Sequence, residues 1–417
     1  MRSKKFSSAK SIFAIWTLLL VPMIAPAQTP TKFKVLHTFH GKDGGSPMGV
    51  LVLDAGGIYG TTIGGGTGKC SKMGCGTAFK LNKSGQQVWL YSFDGANGLN
   101  PEAGLLRDGE GNLFGTTVYG GDTKCVPPEG CGTVFKLSNT GKKETVLHKF
   151  TGTPNGWFPE ALLVEDSQGG LYGTTYLGGS SSLGTVFKIN KTGKETILHS
   201  FAGPPDGSGD GAYSYQGVIR DAAGNLYGVT AAGGAYGAGA VYKWNATDKE
   251  TLLYSFTGYS DGGSPDSVLV ADSAGDLFGT TQDGGNSECG GSGCGVVFEL
   301  SPKSGGDWVE TVLYEFCSLS NCIDGERPLA GPLVRDPAGT LYGTTYFGGV
   351  NDDGVVFKLD VTGQETVLHS FTGGPDGAFP YAGLAEDGSG DLYGTTQGGG
   401  ATCYTSYTCG VVFKITP

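Results

Sequence analysis

Histidine and methionine are scarce in this chain, at five and four residues of 417, and basic residues are outnumbered by acidic ones, 28 to 39. Nucleic acids and anionic membrane surfaces are bound through basic patches, so this balance argues against both as partners. Long apolar runs are also rare. The only one, Ile12 to Ala25, contains Pro22 and is too short to cross a bilayer comfortably. No segment sustains a helical period of apolar residues, which leaves no amphipathic helix to build with. With five histidines, a multi-histidine metal centre or a Ser-His-Asp triad is hard to assemble.

The single apolar run is an address. Arg2, Lys4, Lys5 and Lys10 precede it, and Ala25-Pro26-Ala27 closes it with small residues where a signal peptidase cuts. Residues 1–27 are therefore expected to be a signal peptide and 28–417 one mature domain, extracellular or periplasmic. Cleavage removes four positive charges and leaves 24 basic against 39 acidic residues, or −15. The mature chain is expected to be a soluble monomer without a transmembrane anchor.

What the chain has in excess is glycine, 77 residues, placed at fixed points between short apolar runs. That pattern describes tight turns between strands. The Tyr/Phe-Gly step recurs at Tyr59, Phe114, Tyr172, Tyr227, Phe278, Tyr342 and Tyr393, spaced 51 to 64 residues apart. Each copy carries four strand-like segments. In the second copy they are 88–93, 101–108, 112–117 and 132–137, named here D, A, B and C. Seven copies of four strands predict an all-β, seven-bladed β-propeller. The chain begins with a lone D segment, 34–39, and ends with A, B and C, so the N-terminal strand is expected to complete the C-terminal blade and hide its edge.

Repeat position separates structural residues from candidates. Strand A ends in Asp54, Asp108, Asp166, Asp221, Asp272, Asp336 and Asp387, each followed within a few residues by glycine. An Asp there accepts backbone N–H bonds in a turn, so a structural role is expected. His37, His148, His199 and His369 share one strand D position with Tyr91, Tyr254 and Tyr314, which reads as packing with a polar tip. Only His40 falls outside that position.

The ten cysteines form five close pairs: Cys70/Cys75, Cys125/Cys131, Cys289/Cys294, Cys317/Cys322 and Cys403/Cys409. Four lie in B–C connections of 13 or 14 residues, and the three B–C connections of eight residues hold none. In an exported chain they read as disulfides that pin long loops, each worth roughly 2 kcal/mol in the chain-entropy model. A zinc reading would need pairs from different blades to meet and the thiols to stay reduced.

The B–C and D–A loops are expected on one face. That face also carries an Asp/Asn-Gly-x-x-Pro element in six copies, with DGAYS (210–214) in the other. Trp157, Phe158, Tyr213, Tyr215, Phe379 and Tyr381 in or beside it are candidate ligand contacts; the competing reading is inter-blade packing. No Ca²⁺ loop with enough spaced oxygens is evident, so no cofactor or metal is expected.

The unit LVRDPAGTLYGTTYFGGVNDDGVVFKLDVTGQETVLHSF (333–371) resembles the GloVer tandem repeat of bacterial exported proteins, described as choice-of-anchor proteins, and the resemblance covers 32–417. It implies a propeller-like fold and supplies no catalytic residues. No anchoring tail is expected after Pro417, a departure from that pattern. A binding module for a glycan, peptide or protein ranks first, and no residue is assigned as catalytic. A polysaccharide hydrolase or lyase using Glu102, Glu160 or Glu326 is the alternative, and a structural envelope protein is the third.

Overall fold

The computed structural model describes residues 31–70, 72–203, 210–245, 247, 249–404 and 407–417, so the expected signal peptide lies outside the described residues. Seven antiparallel sheets stand in a ring as the blades of a β-propeller. Strands A to D run from the axis outward; in the second blade they are Leu106–Arg107, Leu113–Thr117, Thr133–Leu137 and Glu144–Lys149. In the fifth blade Gly263–Pro265 adds a further short strand beside Leu277–Asp283. The only helix among the described residues is a 3₁₀ turn at Ser320–Cys322.

The last blade contains Ala385–Glu386, Leu392–Thr396 and Val411–Thr416. Its outermost strand is the N-terminal Lys32–Thr38, antiparallel to Val411–Thr416 from Lys32↔Thr416 to Thr38↔Val411, with an irregularity between Val35 and His37. The paired strand starts two residues before the expected 34.

The Tyr/Phe-Gly-Thr-Thr step has a packing cause. The strand B glycine lies under the strand C aromatic of its own blade. A Cβ on Gly343 would fall 2.6 Å from Phe357 Cζ, and one on Gly60 2.5 Å from Phe79 Cζ. That aromatic in turn meets, edge-on, the phenylalanine that ends strand D of the preceding blade. The ring centroids are 5.1 Å apart for Phe93–Phe135, 5.2 Å for Phe150–Phe187 and 5.1 Å for Phe316–Phe357. All seven boundaries repeat the contact, with Tyr242 replacing Phe at one. Each such pair adds about 0.5–1.5 kcal/mol beyond the area it buries. The second Thr is satisfied internally: Thr117 Oγ1 lies 2.8 Å from Thr133 Oγ1 and donates to the Tyr119 carbonyl.

Strand A is shorter than its sequence segment, only two or three residues. Proline has no N–H for a ladder, and beyond it the seven inner segments crowd one another near the axis. A Cβ on Gly331 would fall 1.6 Å from Gly383 N, and Leu162 bridges Gly217 of the next blade.

The turn carboxylates sit at the A–B hairpins. Asp166 Oδ1 accepts N–H bonds from Gln168 and Gly170, while Oδ2 meets Tyr172 Oη and Lys188 Nζ, each at 2.9 Å. Lys188 and these donors hold its carboxyl well below the usual range despite its burial. The strand D histidines and tyrosines face carboxylates at the blade boundary: His37–Asp43 at 3.2 Å, Tyr254–Asp261 at 3.0 Å, Tyr314–Asp324 at 2.8 Å and His369–Asp376 at 3.1 Å. The Asp of the Asp-Gly-x-x-Pro element is thereby occupied as an acceptor.

Candidate functional site

Cross-pairing between loops of one blade puts the D–A and B–C connections on the same face. Leu99 bridges Tyr119, Trp157 pairs Leu177, Ala212 pairs Ala232 and Glu326 bridges Phe347. The second variable residue of each Gly-x-x-Pro element is then fixed by the backbone. Ser46, Asn100, Phe158, Tyr213, Ser264, Arg327 and Phe379 all have φ between 49° and 63°. Every one of them donates its N–H to a carbonyl of the preceding blade: Asn100 to Cys75, Phe158 to Cys131, Arg327 to Cys294, Ser46 to Cys409, and Tyr213, Ser264 and Phe379 to Leu183, Ala238 and Asp353. The proline behind it covers the glycine that opens the previous blade's strand C, with Pro159 Cδ 2.5 Å from a Cβ placed on Gly132. The mouth of the ring is thus stapled blade to blade through the main chain.

Five disulfides join the five expected pairs, and no described cysteine is free. In the four long B–C loops the second cysteine also supplies the carbonyl of the staple. The pairs of the fifth and sixth copies do meet, with Sγ of Cys289, Cys317 and Cys322 and a Glu326 oxygen mutually within 4.8 Å. Both pairs are oxidised, so they are not thiolate ligands.

All six aromatic candidates are half-buried and stacked in three clusters. Trp157 stacks on Phe158, which meets Tyr119. Tyr215 stacks on Tyr176 at 4.5 Å, with Tyr213 beside it. Phe379 stacks on Tyr346, whose edge meets Tyr381. Tyr176 and Tyr346 directly follow the Thr-Thr of strand B and Tyr119 stands one residue further on; none of the three is among the sequence candidates, and the variability of these two positions between copies is the signal that marks them.

One to three residues beyond the proline, or beyond Ser214 in the fourth copy, each inner segment approaches the axis. Glu102, Glu160 and Tyr381, with Val50, Gln216, Val268 and Ala330, line a cavity to which all seven blades contribute. It holds about 30 Å³, room for a water or two and no sugar ring. Burial raises Glu102, and burial together with repulsion from Glu102 and Asp266 raises Glu160. Among the described residues neither glutamate meets a cation that would offset this, so burial and mutual repulsion hold both carboxyls above the ordinary range. Burial pushes Asp266 up to about 7, opposed by the Gln216 side chain, which donates to Asp266 Oδ1 at 3.1 Å. Tyr381 is raised by burial and by Asp266, Glu102 and Glu160; Tyr215 is raised by burial, its bond to Tyr176, Asp266 and Glu160. Aromatic mouth and acidic cavity therefore form one electrostatic neighbourhood. Glu326 stands apart from it, 2.9 Å from Cys289 Sγ, and burial and Asp352 raise its carboxyl.

No functionally curated protein matches the chain in sequence. Among solved structures, the extracellular domain of the putative one component system BT4673 from B. thetaiotaomicron aligns over 92% of this chain and 41% of its own length, with TM-score 0.53 and 14% identity. A putative gluconolactonase aligns over 73% of this chain and 84% of its own, with TM-score 0.41 and 12% identity. Likeness at these identities concerns the fold. A family profile matches at residues 24–210 and again at 205–405, and by that match the chain belongs to the Gloeobacter/Verrucomicrobia repeat family.

Proposed function

We propose that this protein is an exported binding propeller that engages a glycan, peptide or protein through the loop face around its axis. The observation that carries the reading is the left-handed backbone at the seven mouth positions, none of which is glycine in a chain with 77 glycines. A bulky residue in that conformation costs about 1–2 kcal/mol, and strain of this kind clusters at ligand sites. Glycine would remove the strain; Phe158, Tyr213, Arg327 and Phe379 keep a side chain there instead. Export accords with the N-terminal address and with five disulfides. Among the described residues no helix is long and apolar enough to cross a membrane. The test is a glycan and peptide array probed with the mature chain and with Trp157→Ala and Phe379→Ala. Both variants should melt as folded proteins and lose the ligand; undiminished binding would overturn the assignment.

One observation favours a second reading. Glu102 and Glu160 line one cavity and are both held above the ordinary carboxyl range by burial, and a pair of carboxyls is what acid–base attack on a glycoside uses. The cavity they line is too small for a sugar, so a substrate would have to be cleaved above it. Release of reducing ends or unsaturated products from a polysaccharide panel, abolished in Glu160→Gln, would favour this enzyme; no release from any member would exclude it for that panel.

A further inference from the structure

At every blade boundary three repeat positions come together: the His or Tyr of strand D, the Asp or Asn of the following loop, and a residue of the next blade's strand D. Their chemistry varies. Tyr254 and Tyr314 hold the first position where Asp and Glu hold the others. Asn155 replaces the Asp beside His148, Phe33 stacks on His369 where a Glu would stand, and Gln87 takes that place beside His37. Only at His199, Asp210 and Glu250 do an imidazole and two carboxylates coincide.

We propose that His199, Asp210 and Glu250 form a binding site for a borderline divalent cation of the Zn²⁺ class. One ligand atom from each lies within 4.8 Å of the other two, and the other such cluster among the described residues, around Glu326, is built of disulfide sulfurs. The site is half-buried. Its geometry is held from outside: the Asp210 carboxylate accepts N–H bonds from Ala202 at 2.7 Å and Gly211 at 2.8 Å, and the His199 ring packs edge-on against Phe201. His199 Nε2 stands 3.4 Å from Asp210 Oδ1, close for two ligands of one ion. Glu250 Oε1 is buried without a hydrogen-bond partner, as are the equivalent oxygens of Glu144, Glu195, Glu310 and Glu365, so what distinguishes this boundary is the imidazole and second carboxylate beside it. Neutral imidazole with two carboxylates balances a 2+ charge, and one nitrogen with oxygens suits Zn²⁺ or Co²⁺ better than an all-oxygen site would. His199 and Glu250 lie on outer strands, while Asp210 opens the DGAYS element of the loop face, so the site borders that face and is read separately from it by metal titration.

The experiment titrates Co²⁺, then Zn²⁺, into the untagged mature chain after chelator treatment, following visible Co²⁺ absorption and calorimetry. His199→Tyr is the decisive variant, because tyrosine fills the same place in three other copies and leaves the fold intact. His369→Tyr is its control. One Co²⁺ per chain, displaced by Zn²⁺, should bind equally in wild type and His369→Tyr, and at least ten-fold more weakly in His199→Tyr and Glu250→Gln. No stoichiometric binding to wild type, or equal binding by His199→Tyr, would overturn the site, as would a loss in His369→Tyr of the same size.

Discussion

Replacing Asp266 by Asn should make the protein more stable at alkaline pH and leave it unchanged in acid. Asp266 lies close enough to Glu160 to raise its carboxyl, and the structure offers it one side-chain donor, Gln216 Nε2. Burial lifts its carboxyl from an ordinary 3.8 to about 7. About three pH units at 1.36 kcal/mol each make ~4 kcal/mol, the cost of holding the ionised group in the fold. The sign follows from the order of the two values. The folded group is the weaker acid, so stability is complete below about pH 3.8 and is lost as pH rises through 7. Asparagine keeps the volume and the acceptor for Gln216, and it presents an amide to Glu160 instead of a charge. Melting curves at pH 4, 6 and 8 should therefore coincide for the two proteins at pH 4 and separate upward, with the variant higher by up to ~4 kcal/mol at pH 8. Glu310 and Glu365, raised to about 7 mainly by burial, slope the same way. Both are half-buried, with one carboxylate oxygen still reaching solvent, so screening makes their share smaller. A wild type and variant whose melting points fall in parallel from pH 4 to pH 8 would refute the claim that Asp266 is an uncompensated buried charge.

Other perturbations follow from the same contacts. Gly343→Ala puts a Cβ 2.6 Å from Phe357 Cζ and 2.8 Å from Leu333 Cδ2, and should cost about 1–3 kcal/mol by overpacking, read as a lower melting temperature. Tyr314→Phe removes a donor 2.8 Å from the buried Asp324 carboxylate and should cost about 1.5–3 kcal/mol in denaturant unfolding; a loss under 0.5 would mean that Ser318 and Leu319 N–H groups suffice. Removing Cys125 and Cys131 together as serines should cost roughly 2 kcal/mol and speed proteolysis within 118–131, since the Cys131 carbonyl is what holds Phe158 N–H. Unaltered cleavage there would show that the loop is ordered without its cross-link.

Much of the scaffold was readable from the chain because its causes are local. The strand B glycine, the strand C aromatic and the strand D phenylalanine occupy fixed places in every copy, and each answers a contact that every boundary repeats. The interchange of His148 with Tyr91 or Tyr254 showed a polar tip on a packing position, and those tips do meet carboxylates at the boundary. The cysteine pairs were legible because loop length and cysteine content change together.

The axial site was legible only in part, for a geometric reason. The residue after the proline, or after Ser214 in the fourth copy, is Met48, Glu102, Glu160, Tyr215, Asp266, Leu329 or Tyr381, five residue types in seven copies, so no motif marks it. Glu102, Glu160 and Tyr381 become neighbours only when the ring closes and seven inner segments converge, a relation across some 50 residues of chain per step. Asp266 was passed over for that reason, while Glu326, two places before its proline, was drawn in by proximity along the chain and lies elsewhere in space. The mouth conformation was hidden for another reason. Phe, Tyr, Arg, Asn and Ser give no hint of positive φ by type. It is imposed by two hydrogen bonds the residue does not choose: its N–H to the previous blade and, at most copies, its carbonyl to the residue after Thr-Thr. Since the backbone is held whatever the side chain, those seven positions are free to vary in chemistry while the frame stays constant, and variation there is the property a recognition surface requires.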